Sequence, residues 1–303
     1  TVVYECVDNN RGIAIAKLMW GFLAHMRKEE DAPIDIAYWR EHKDVWHTPE
    51  SLSVSPDLFV SESYVKGSED CTNPLLEEKV RELVVAWEAE DATVWELWSH
   101  VLAYSYAGMD KTLTRLGNRW DVVWHEHEHY KKGKEYVEKG LAQGIFTKLE
   151  DGAVLTNLAS YSIPDTILLK RDGTSLYITQ DLALTALKKE RHHADKLVWV
   201  IGPDQTLALR QLFAVCEQLG IGKMSDFTHV SYGYVGLKDE DGGFSKMSSR
   251  KGTVVLIDDV IDSVRDSLLS SILERNEVQD KEGLAERLAL AAVKFSVLRT
   301  ERT

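Results

Sequence analysis

The strand–helix–strand run between residues 196 and 236 constrains the fold more than any other part of the sequence. KLVWVI at 196–201 is a continuous apolar run, typical of a strand covered on both faces, and Gly202-Pro203 ends it. The helical run LALRQLFAVCEQLG and the strand-like run HVSYGYVG follow. Two strands joined through a helix predict a parallel pair with a right-handed crossover. The sequence therefore predicts an α/β fold whose ligands bind beyond the carboxyl ends of the strands.

The first third of the chain contains a predicted strand, a predicted helix and a region of no clear period. TVVYECVD at 1–8 reads as a buried strand, and GIAIAKLMWGFLAHMRK from Gly12 as a nearly all-apolar helix. Residues 30–62 hold three of the six prolines and show no sustained period. We therefore predict an extended insertion of loops and short strands there.

Two amphipathic helices are predicted next. Asn73-Pro74 is a typical helix start, with Asn as N-cap and Pro in the first turn. Thr93 and Glu96 fit a capping box at the start of the second helix. The apolar positions at helical spacing are Leu76, Val80, Leu83, Val84 and Trp87 in the first, and Val94, Leu97, Trp98, Val101 and Leu102 in the second. The stretch is acidic, so its aromatic residues are expected in a core rather than in a base-stacking platform.

The second half of the chain carries the remaining predicted elements. DTILLKRDGTSLYI predicts a hairpin around Asp172-Gly173, and QDLALTALKKER a helix after it. The tripeptide KMS at 223–225 reads as an ordinary helix-to-strand turn. KEGLAERLALAAVKFSVLR at the end predicts an amphipathic helix that begins another domain.

Bulk properties indicate a soluble, cytoplasmic protein. No apolar run approaches the ~18 residues needed to span a bilayer, and no signal-peptide pattern opens the chain. The three cysteines lack CxxC spacing, which argues against a disulfide framework and a Cys-rich zinc site. The net charge of -13 argues against a general nucleic-acid binder, although it does not exclude a tRNA docked through local surfaces.

The loop FSKMSSRKGT at 244–253 is the strongest candidate for chemistry. Lys246, Arg250 and Lys251 can neutralise charge on a leaving pyrophosphate, while Ser248 and Ser249 can donate to its oxygens. Such a loop suits ATP activation. The alternative is a solvated basic turn on the surface.

A second candidate site lies at the junction between the hairpin and the helix after it. Tyr177 and Asp181 are four residues apart, a spacing that can aim both side chains the same way. A carboxylate can bind a guanidinium bidentately, and a phenol can stack beside it. The alternative is that Asp181 is merely a helix N-terminal residue favoured by the helix dipole.

A rival motif, His125-Glu126-His127-Glu128-His129, fits HExxH, in which two histidines on a helix bind zinc. That motif requires a long amphipathic helix, and Tyr130-Lys-Lys-Gly follows at once. A zinc hydrolase therefore stays a remote alternative, and adventitious metal binding by the three histidines stays open.

Several of these stretches together resemble class I aminoacyl-tRNA synthetases of the arginyl-tRNA synthetase family. The basic loop resembles the KMSKS signature, continued by SYGYVGL at 231–237 and TVVLIDDVID at 253–262. DGTSLYITQD at 172–181 resembles the family's D-G-T-S-x-Y-x-T-R-D. WDVVWHEHEHY resembles F-D-x-x-x-x-E-S-x-x-Y, which accounts for Asp121, Glu126 and Tyr130 without metal.

The resemblance implies three groups of site residues in a Rossmann-like parallel sheet. The catalytic group would be Lys246, Ser248, Arg250 and Lys251. The ATP-binding group would be Gly233, Lys246, Met247, Ser248 and Gly252. The arginine-binding group would be Tyr177, Asp181, Gln205 and Asn9.

The chain also departs from the family pattern. Gln180 stands where Arg is common, Ala208 where a His is frequent, and Asn10 replaces an Asp in VDNNRGIAI. Cys6 occupies a position where the family often places an Asn ligand, so only Asn9 is carried over from this stretch. No HIGH-like signature is present, and the chain ends inside a helix. We therefore expect a fragment of a longer synthetase.

The resemblance implies arginine–tRNA ligation with ATP and Mg²⁺, and L-arginine and tRNA(Arg) as partners. The expected organisation is a catalytic domain over 1–275, with a helical insertion at about 73–160, followed by the start of a helical anticodon-binding domain over 276–303. A monomer is expected. The alternative of another class is a non-catalytic ligand- or RNA-binding remnant of the same fold, which the missing HIGH signature favours.

Overall fold

Helices dominate the part of the chain that the computed structural model describes, which is residues 1–233, 237–238, 244–245, 255–273 and 279–299. The described chain divides into two compact units. The first unit comprises residues of Thr1–Val123 and of Gly236–Arg299, and the second comprises residues of Trp124–Val235. None of the described helices is both long enough and apolar enough to cross a membrane.

The described elements, in chain order, are β1 (Glu5–Asp8), α1 (Ile13–His25), α2 (Ile36–Glu41), α3 (Pro49–Leu52), α4 (Pro56–Asp70), α5 (Pro74–Glu88), α6 (Ala92–Arg115), β2 (Val122–His125), α7 (Lys132–Ala142), β3 (Thr147–Lys148), β4 (Val154–Leu155), β5 (Ile167–Leu169), α8 (Tyr177–His192), β6 (Leu197–Val200), α9 (Thr206–Gln218), β7 (Phe227–Val230), β8 (Leu237–Lys238), β9 (Phe244–Ser245), α10 (Ile257–Leu273) and α11 (Lys281–Leu298). The predicted first helix is confirmed as α1. The predicted first strand is shorter than expected and is not buried, because β1 covers only Glu5–Asp8 and the side chains of Val2, Tyr4 and Val7 are exposed.

The centre of the first unit is a close crossing of α1 and α4. A Cβ atom at Gly21 would overlap the backbone carbonyl of Ser63, and one at Gly67 would overlap the carbonyl of Lys17. The two helices therefore touch through their backbones, and α1 buries an almost continuous apolar surface that includes Phe22. Close packing of this kind leaves no room for a side chain at either glycine.

The prediction of loops and short strands over residues 30–62 is wrong, because this region forms α2, α3 and the first half of α4. Two of its prolines occupy the first turn of a helix, Pro49 in α3 and Pro56 in α4, where a missing N-H costs nothing. Thr48 and Ser51 form a capping box around Pro49. The buried face of α4 contains small residues, so it shows little apolar period.

The two predicted amphipathic helices are confirmed as α5 and α6, although the cap of α6 differs. Asn73 caps α5 by accepting from the backbone N-H of Leu75. In α6 the cap is Asp91, whose carboxylate accepts from the backbone N-H groups of Thr93 and Val94. The predicted Thr93 capping box is therefore wrong, since a carboxylate two residues earlier already satisfies these donors.

The aromatic side chains of α5 and α6 pack into the interior as predicted. Trp87 and Trp98 are buried with their rings in an edge-on contact, and the indole N-H of Trp98 donates to the Asn10 carbonyl at 2.7 Å. The predicted apolar face of α6 is buried from Val94 to Leu102.

An ion-pair network joins α6 to α10 and α11 in the first unit. The Arg115 guanidinium contacts the carboxylates of Asp258 and Asp262, each at 2.6 Å, and that of Glu286 at 2.8 Å. Arg115 keeps only 18% of its side chain exposed. Its donors are thus satisfied by three carboxylates, which fixes the three helices to one another.

The second unit contains the predicted parallel pair. β6 and β7 run parallel, with Leu197 opposite Phe227 and Val200 opposite Val230, and α9 connects them. This unit confirms the predicted α/β class. The KMS turn is also confirmed, as a short 3-10 helix over Met224–Asp226 between α9 and β7.

Only one face of β6 is covered, so the predicted burial on both faces is wrong. Trp199 packs against the rings of Phe213 and Phe227. Val198 and Val200, which point to the opposite face, are 57% and 64% exposed. Successive side chains of a strand alternate between faces, so a continuous apolar run does not by itself show that both faces are buried.

The predicted hairpin around Asp172-Gly173 is confirmed in its turn but is shorter than expected. Gly173 has φ +77°, Leu169 and Ser175 form an isolated antiparallel bridge, and β5 pairs with β4 in a small three-stranded sheet. The second arm ends there because α8 begins at Tyr177. The predicted helix is therefore present but starts three residues earlier.

Candidate active site

Two of the predicted ligand segments follow neighbouring strands of the second unit. Gln205 comes five residues after the end of β6, and Gly233 comes three residues after the end of β7. Because β6 and β7 are parallel, both segments lie at the same edge of the pair. Open α/β sheets bind their ligands at this carboxyl edge.

Gln205 lies immediately before α9. Its side chain is exposed, and its amide donates to the Asp204 carboxylate at 3.2 Å. Its backbone N-H donates to the carbonyl of Gly202, which closes the turn after β6. The amide therefore stands at the surface beside the start of a helix, where a ligand can reach it.

The first two turns of α8 carry Tyr177 and Asp181. Tyr177 is the first residue of the helix and is 79% exposed. Asp181 lies four residues later on the same helix face, as the sequence spacing predicted. A short loop joins the last turn of α8 to the start of β6, so the first turn of α8 points towards the carboxyl edge of the strands. Tyr177 and Asp181 therefore belong to the end of α8 that is directed towards this edge.

The carboxyl group of Asp181 lies in unusual electrostatic surroundings. The residue is exposed to solvent, yet protein atoms crowd around its carboxyl group. This burial, with the nearby carboxylate of Glu126, raises the pKa of Asp181 to about 6, against the weaker opposing effect of Lys188. A cationic ligand would stabilise the ionised form of such a carboxyl group.

Glu126 is the site residue that the sequence did not single out. It opens a 3-10 turn directly after β2 and is only 5% exposed. Its backbone carbonyl accepts from the N-H groups of His129 and Tyr130. The resemblance accounted for Glu126 within a motif, but its place beside Asp181 depends on a tertiary contact. The available signal was an acidic residue shortly after the apolar run VVW at 122–124.

The HExxH alternative fails on its helical premise. His125 ends a strand, Glu126–Glu128 form a 3-10 turn, and His129 follows that turn, so the two histidines do not lie one turn apart on a helix. Within the described ranges, no group of three His, Cys, Asp or Glu side chains could hold a metal ion.

His129 is instead an interior side chain. It is 5% exposed, and among the described residues neither ring nitrogen has a hydrogen-bond partner. Its ring contacts the Trp124 ring edge-on. Burial lowers the pKa of His129, against the opposing effect of the Glu128 carboxylate, and the nearby Lys188 acts in the same direction as burial. The ring is therefore neutral at physiological pH.

Asn9 and Asn10 belong to the first unit, directly after β1. Asn9 is exposed, whereas Asn10 is buried and its amide donates to the Tyr106 hydroxyl at 3.0 Å. Tyr106 in turn donates to the Asp8 carboxylate at 2.6 Å. Asn10 thus supports the segment that presents Asn9, while the assignment of Asn9 to arginine stays a prediction.

The residues predicted for the phosphates fall outside the described part of the chain, with the exception of Gly233. They are Lys246, Met247, Ser248, Arg250, Lys251 and Gly252. Their roles stay predictions from the sequence.

The family comparison agrees with the α/β fold. The family described as "tRNA synthetases class I (R), catalytic domain" matches residues 46–303. A Treponema denticola protein named arginine–tRNA ligase is 36% identical over 300 residues, which is 96% of this chain and 47% of that protein. A Bacteroides thetaiotaomicron protein of the same name is 30% identical over 324 residues, covering 99% of this chain and 50% of that protein.

Solved structures show the same fold. Arginyl-tRNA synthetase from Plasmodium falciparum superposes with a TM-score of 0.71 at 14% identity, over 99% of this chain and 46% of that one. The Thermus thermophilus enzyme gives 0.66 at 19% identity, over 99% and 59%. The chain belongs to the arginyl-type class I tRNA synthetase catalytic-domain family, as its sequence motifs predicted. It spans about half the length of the curated relatives it matches.

Proposed function

We propose that the protein containing this chain joins L-arginine to tRNA(Arg) in an ATP-dependent reaction through arginyl-adenylate. Relatives that match almost the whole chain carry the name arginine–tRNA ligase. The chain spans about half of those proteins, so the complete reaction is assigned to the whole protein and the arginine pocket to this chain.

The acidic pair of Glu126 and Asp181 is the observation that carries the proposal. Two carboxyl groups close together raise the proton affinity of the site, and a bound cation removes that penalty. A guanidinium is planar and permanently charged, so it can donate to a carboxylate through two parallel N-H groups. In this proposal Tyr177 stacks on the guanidinium, and Gln205 donates to or accepts from the polar atoms of the amino acid.

In the first step, a carboxylate oxygen of arginine attacks the α-phosphorus of ATP and the bond to pyrophosphate breaks. Lys246, Arg250 and Lys251 would neutralise the charge that develops on the leaving pyrophosphate, and Ser248 would donate to its oxygens. Gly233, Met247 and Gly252 would line the nucleotide. Mg²⁺ would arrive as the companion of the ATP phosphates, since the described residues contain no three-ligand metal group.

In the second step, the terminal ribose hydroxyl of tRNA(Arg) attacks the arginyl carbonyl and AMP leaves. The protein contributes mainly positioning and electrostatic stabilisation to both steps. We place the reaction in the cytoplasm, because all three thiols are free, as suits a reducing compartment. A monomer satisfies the proposal, since every residue assigned to the arginine pocket comes from one chain.

The test is calorimetric binding of L-arginine and of citrulline, which lacks the positive charge, to this chain and to its Asp181→Asn variant. We expect arginine to bind at least tenfold more tightly than citrulline, and Asp181→Asn to weaken arginine binding by about a hundredfold. Glu190→Gln is the matched control, because it removes the same charge from an exposed position on the same helix. That variant should bind arginine like the unmodified chain.

Equal binding of arginine and citrulline by the folded chain would contradict the proposed specificity. Equal losses in Asp181→Asn and Glu190→Gln would show that the ligand responds to the net charge of the chain rather than to the pair of Asp181 and Glu126. Pyrophosphate exchange in the whole protein, with tRNA present, then tests the first reaction step, the formation of arginyl-adenylate.

A further inference from the structure

The basic segment, residues 246–252, carries the predicted phosphate-binding cations and lies outside the described part of the chain, but the elements before and after it are described. β9 ends at Ser245, directly before the segment, and is held by antiparallel pairing with β8. α10 begins at Ile257, shortly after the segment. A short stretch of chain reaches only as far as its two ends allow. Whatever fixes β9 and α10 therefore also limits where the basic segment can lie.

Asp258 fixes the first turn of α10 to α6. The Thr112 hydroxyl donates to one oxygen of the Asp258 carboxylate, and the Arg115 guanidinium donates to the other oxygen at 2.6 Å. Thr112 and Arg115 are neighbours on one face of α6, because residues three apart on a helix lie side by side. The side chains of Arg115 and Asp258 are each 18% exposed. The carboxylate is thus held at both oxygens, partly shielded from water, at the very start of α10.

The neighbouring acidic residues differ from Asp258 in where they lie. Asp259 is in the same turn of α10 but is exposed. Asp262 binds Arg115 one turn further along α10, and Glu286 binds it from α11. Among these four carboxylates, Asp258 is the one that two side chains of α6 contact within the described ranges. It therefore joins α6 to the turn of α10 that follows the basic segment.

We infer that Asp258 is a positioning residue for the first reaction step, because it fixes the turn of α10 to which the basic segment leads. The inference rests on the proposed function, in which Lys246, Arg250 and Lys251 neutralise the leaving pyrophosphate. Cations stabilise a developing charge only when they are held where that charge forms, and a misplacement of about 1 Å can lower a rate by about a hundredfold. The alternative is that the contact of Asp258 with α6 contributes to stability alone.

The experiment measures arginine-dependent pyrophosphate exchange, with tRNA present, in the whole protein and in four variants of it. Asp258→Ala removes both contacts of the carboxylate with α6. Thr112→Val removes one of them and keeps the size of the side chain. Asp259→Ala is the matched control, because it removes the same group from the next, exposed position of the same turn. Glu286→Ala removes a partner of Arg115 on α11 and controls for a general weakening of the network.

We expect Asp258→Ala to lower the kcat of exchange by about tenfold and to raise the KM for ATP. The KM for arginine should not change, because Asp181 and its pocket belong to the second unit. Thr112→Val should lower the kcat by about threefold, since the ion pair of Asp258 with Arg115 remains. Asp259→Ala and Glu286→Ala should exchange pyrophosphate like the unmodified protein.

Equal exchange by Asp258→Ala and Asp259→Ala in an active protein would overturn the inference. Equal losses in Asp258→Ala and Glu286→Ala would also overturn it, because the effect would then follow the stability of the three-helix network. If circular dichroism shows that Asp258→Ala does not fold, Thr112→Val decides alone, and unchanged exchange or misfolding of that variant refutes the inference. Absence of arginine-dependent exchange in the unmodified protein would instead refute the proposed function.

Discussion

The two units of this chain treat buried charge in opposite ways. In the first unit, Arg115 is matched by three carboxylates, and its hydrogen bond lowers the pKa of Glu286. In the second unit, Asp181 lies close to another carboxyl group, and its pKa is raised to about 6. Carboxylates thus share a cation in the first unit, whereas in the second a carboxyl group has a raised pKa because of burial and a neighbouring carboxylate.

This difference separates a structural network from a binding site. Charged side chains that pair with one another need no ligand to neutralise them. The Arg115 network can therefore hold α6, α10 and α11 together by itself. A carboxyl group whose pKa is raised by burial and by a neighbouring carboxylate costs stability when it is ionised, and a bound cation reduces that cost. The comparison predicts opposite responses to mutation and to pH.

The largest expected effect is loss of stability in Arg115→Met. The variant leaves three partly buried carboxylates without their shared cation, so we expect the free energy of unfolding in urea to fall by about 2 kcal/mol at pH 7. Arg81→Met removes an exposed arginine that pairs with Glu77 and should cost less than 1 kcal/mol.

The pH dependence of this effect follows from Glu286. The pKa of Glu286 is lower in the folded chain than in the unfolded chain. The stabilisation by ionised Glu286 is therefore fully present above its unfolded pKa and is lost as the pH falls through its folded pKa. The difference between Arg115→Met and the unmodified chain should therefore shrink below about pH 4. A penalty that stays constant down to pH 2.5 would show that packing of the guanidinium, rather than its charge, stabilises the three helices.

The next effect concerns arginine binding in the second unit. Because the pKa of Asp181 is about 6 in the folded chain, arginine affinity should be constant above pH 7 and fall by about tenfold for each pH unit below 6. Calorimetric titrations at five pH values measure it. If arginine affinity fell with a midpoint near pH 4, the neighbouring Glu126 would not raise the proton affinity of Asp181.

The smallest expected effect is a gain in stability. The pKa of Asp181 is higher in the folded chain than in the unfolded chain, so the carboxylate destabilises the fold increasingly as pH rises from about 4 to 6. Asp181→Asn should therefore raise the Tm by about 2 °C at pH 7.5 and leave it almost unchanged at pH 4. A lower Tm for the variant at pH 7.5 would mean that ionised Asp181 stabilises the fold. The two units would then not differ in the effect of their charged groups on stability.

The sequence was informative wherever apolar residues recur at a regular period. That period located α5, α6 and α9, and the run after residue 196 predicted the parallel pair of β6 and β7. It failed over residues 30–62, because prolines in the first turn of a helix look like breakers and small residues in α4 leave no apolar stripe. The exposed face of β6 could not be predicted, since coverage is a tertiary property.

The candidate site was predictable to the extent that it follows local spacing. The interval between Tyr177 and Asp181 placed both on one helix face before any contact was known. Glu126 and Lys188 are different, because a glutamate or lysine is ordinarily a surface residue and only the packed structure shows that both are buried. The spacing of seven between Asp181 and Lys188 was the signal that could have found the lysine.

The crossing of α1 and α4 also determines which sequences can encode this unit. At an ordinary interior position such as Phe22, one apolar side chain can replace another of similar volume with a modest loss. At Gly21 and Gly67 no such exchange exists, because the smallest possible addition already overlaps a backbone carbonyl. The crossing of this helix pair therefore depends on two glycines, and a hydrophobicity profile does not detect that requirement.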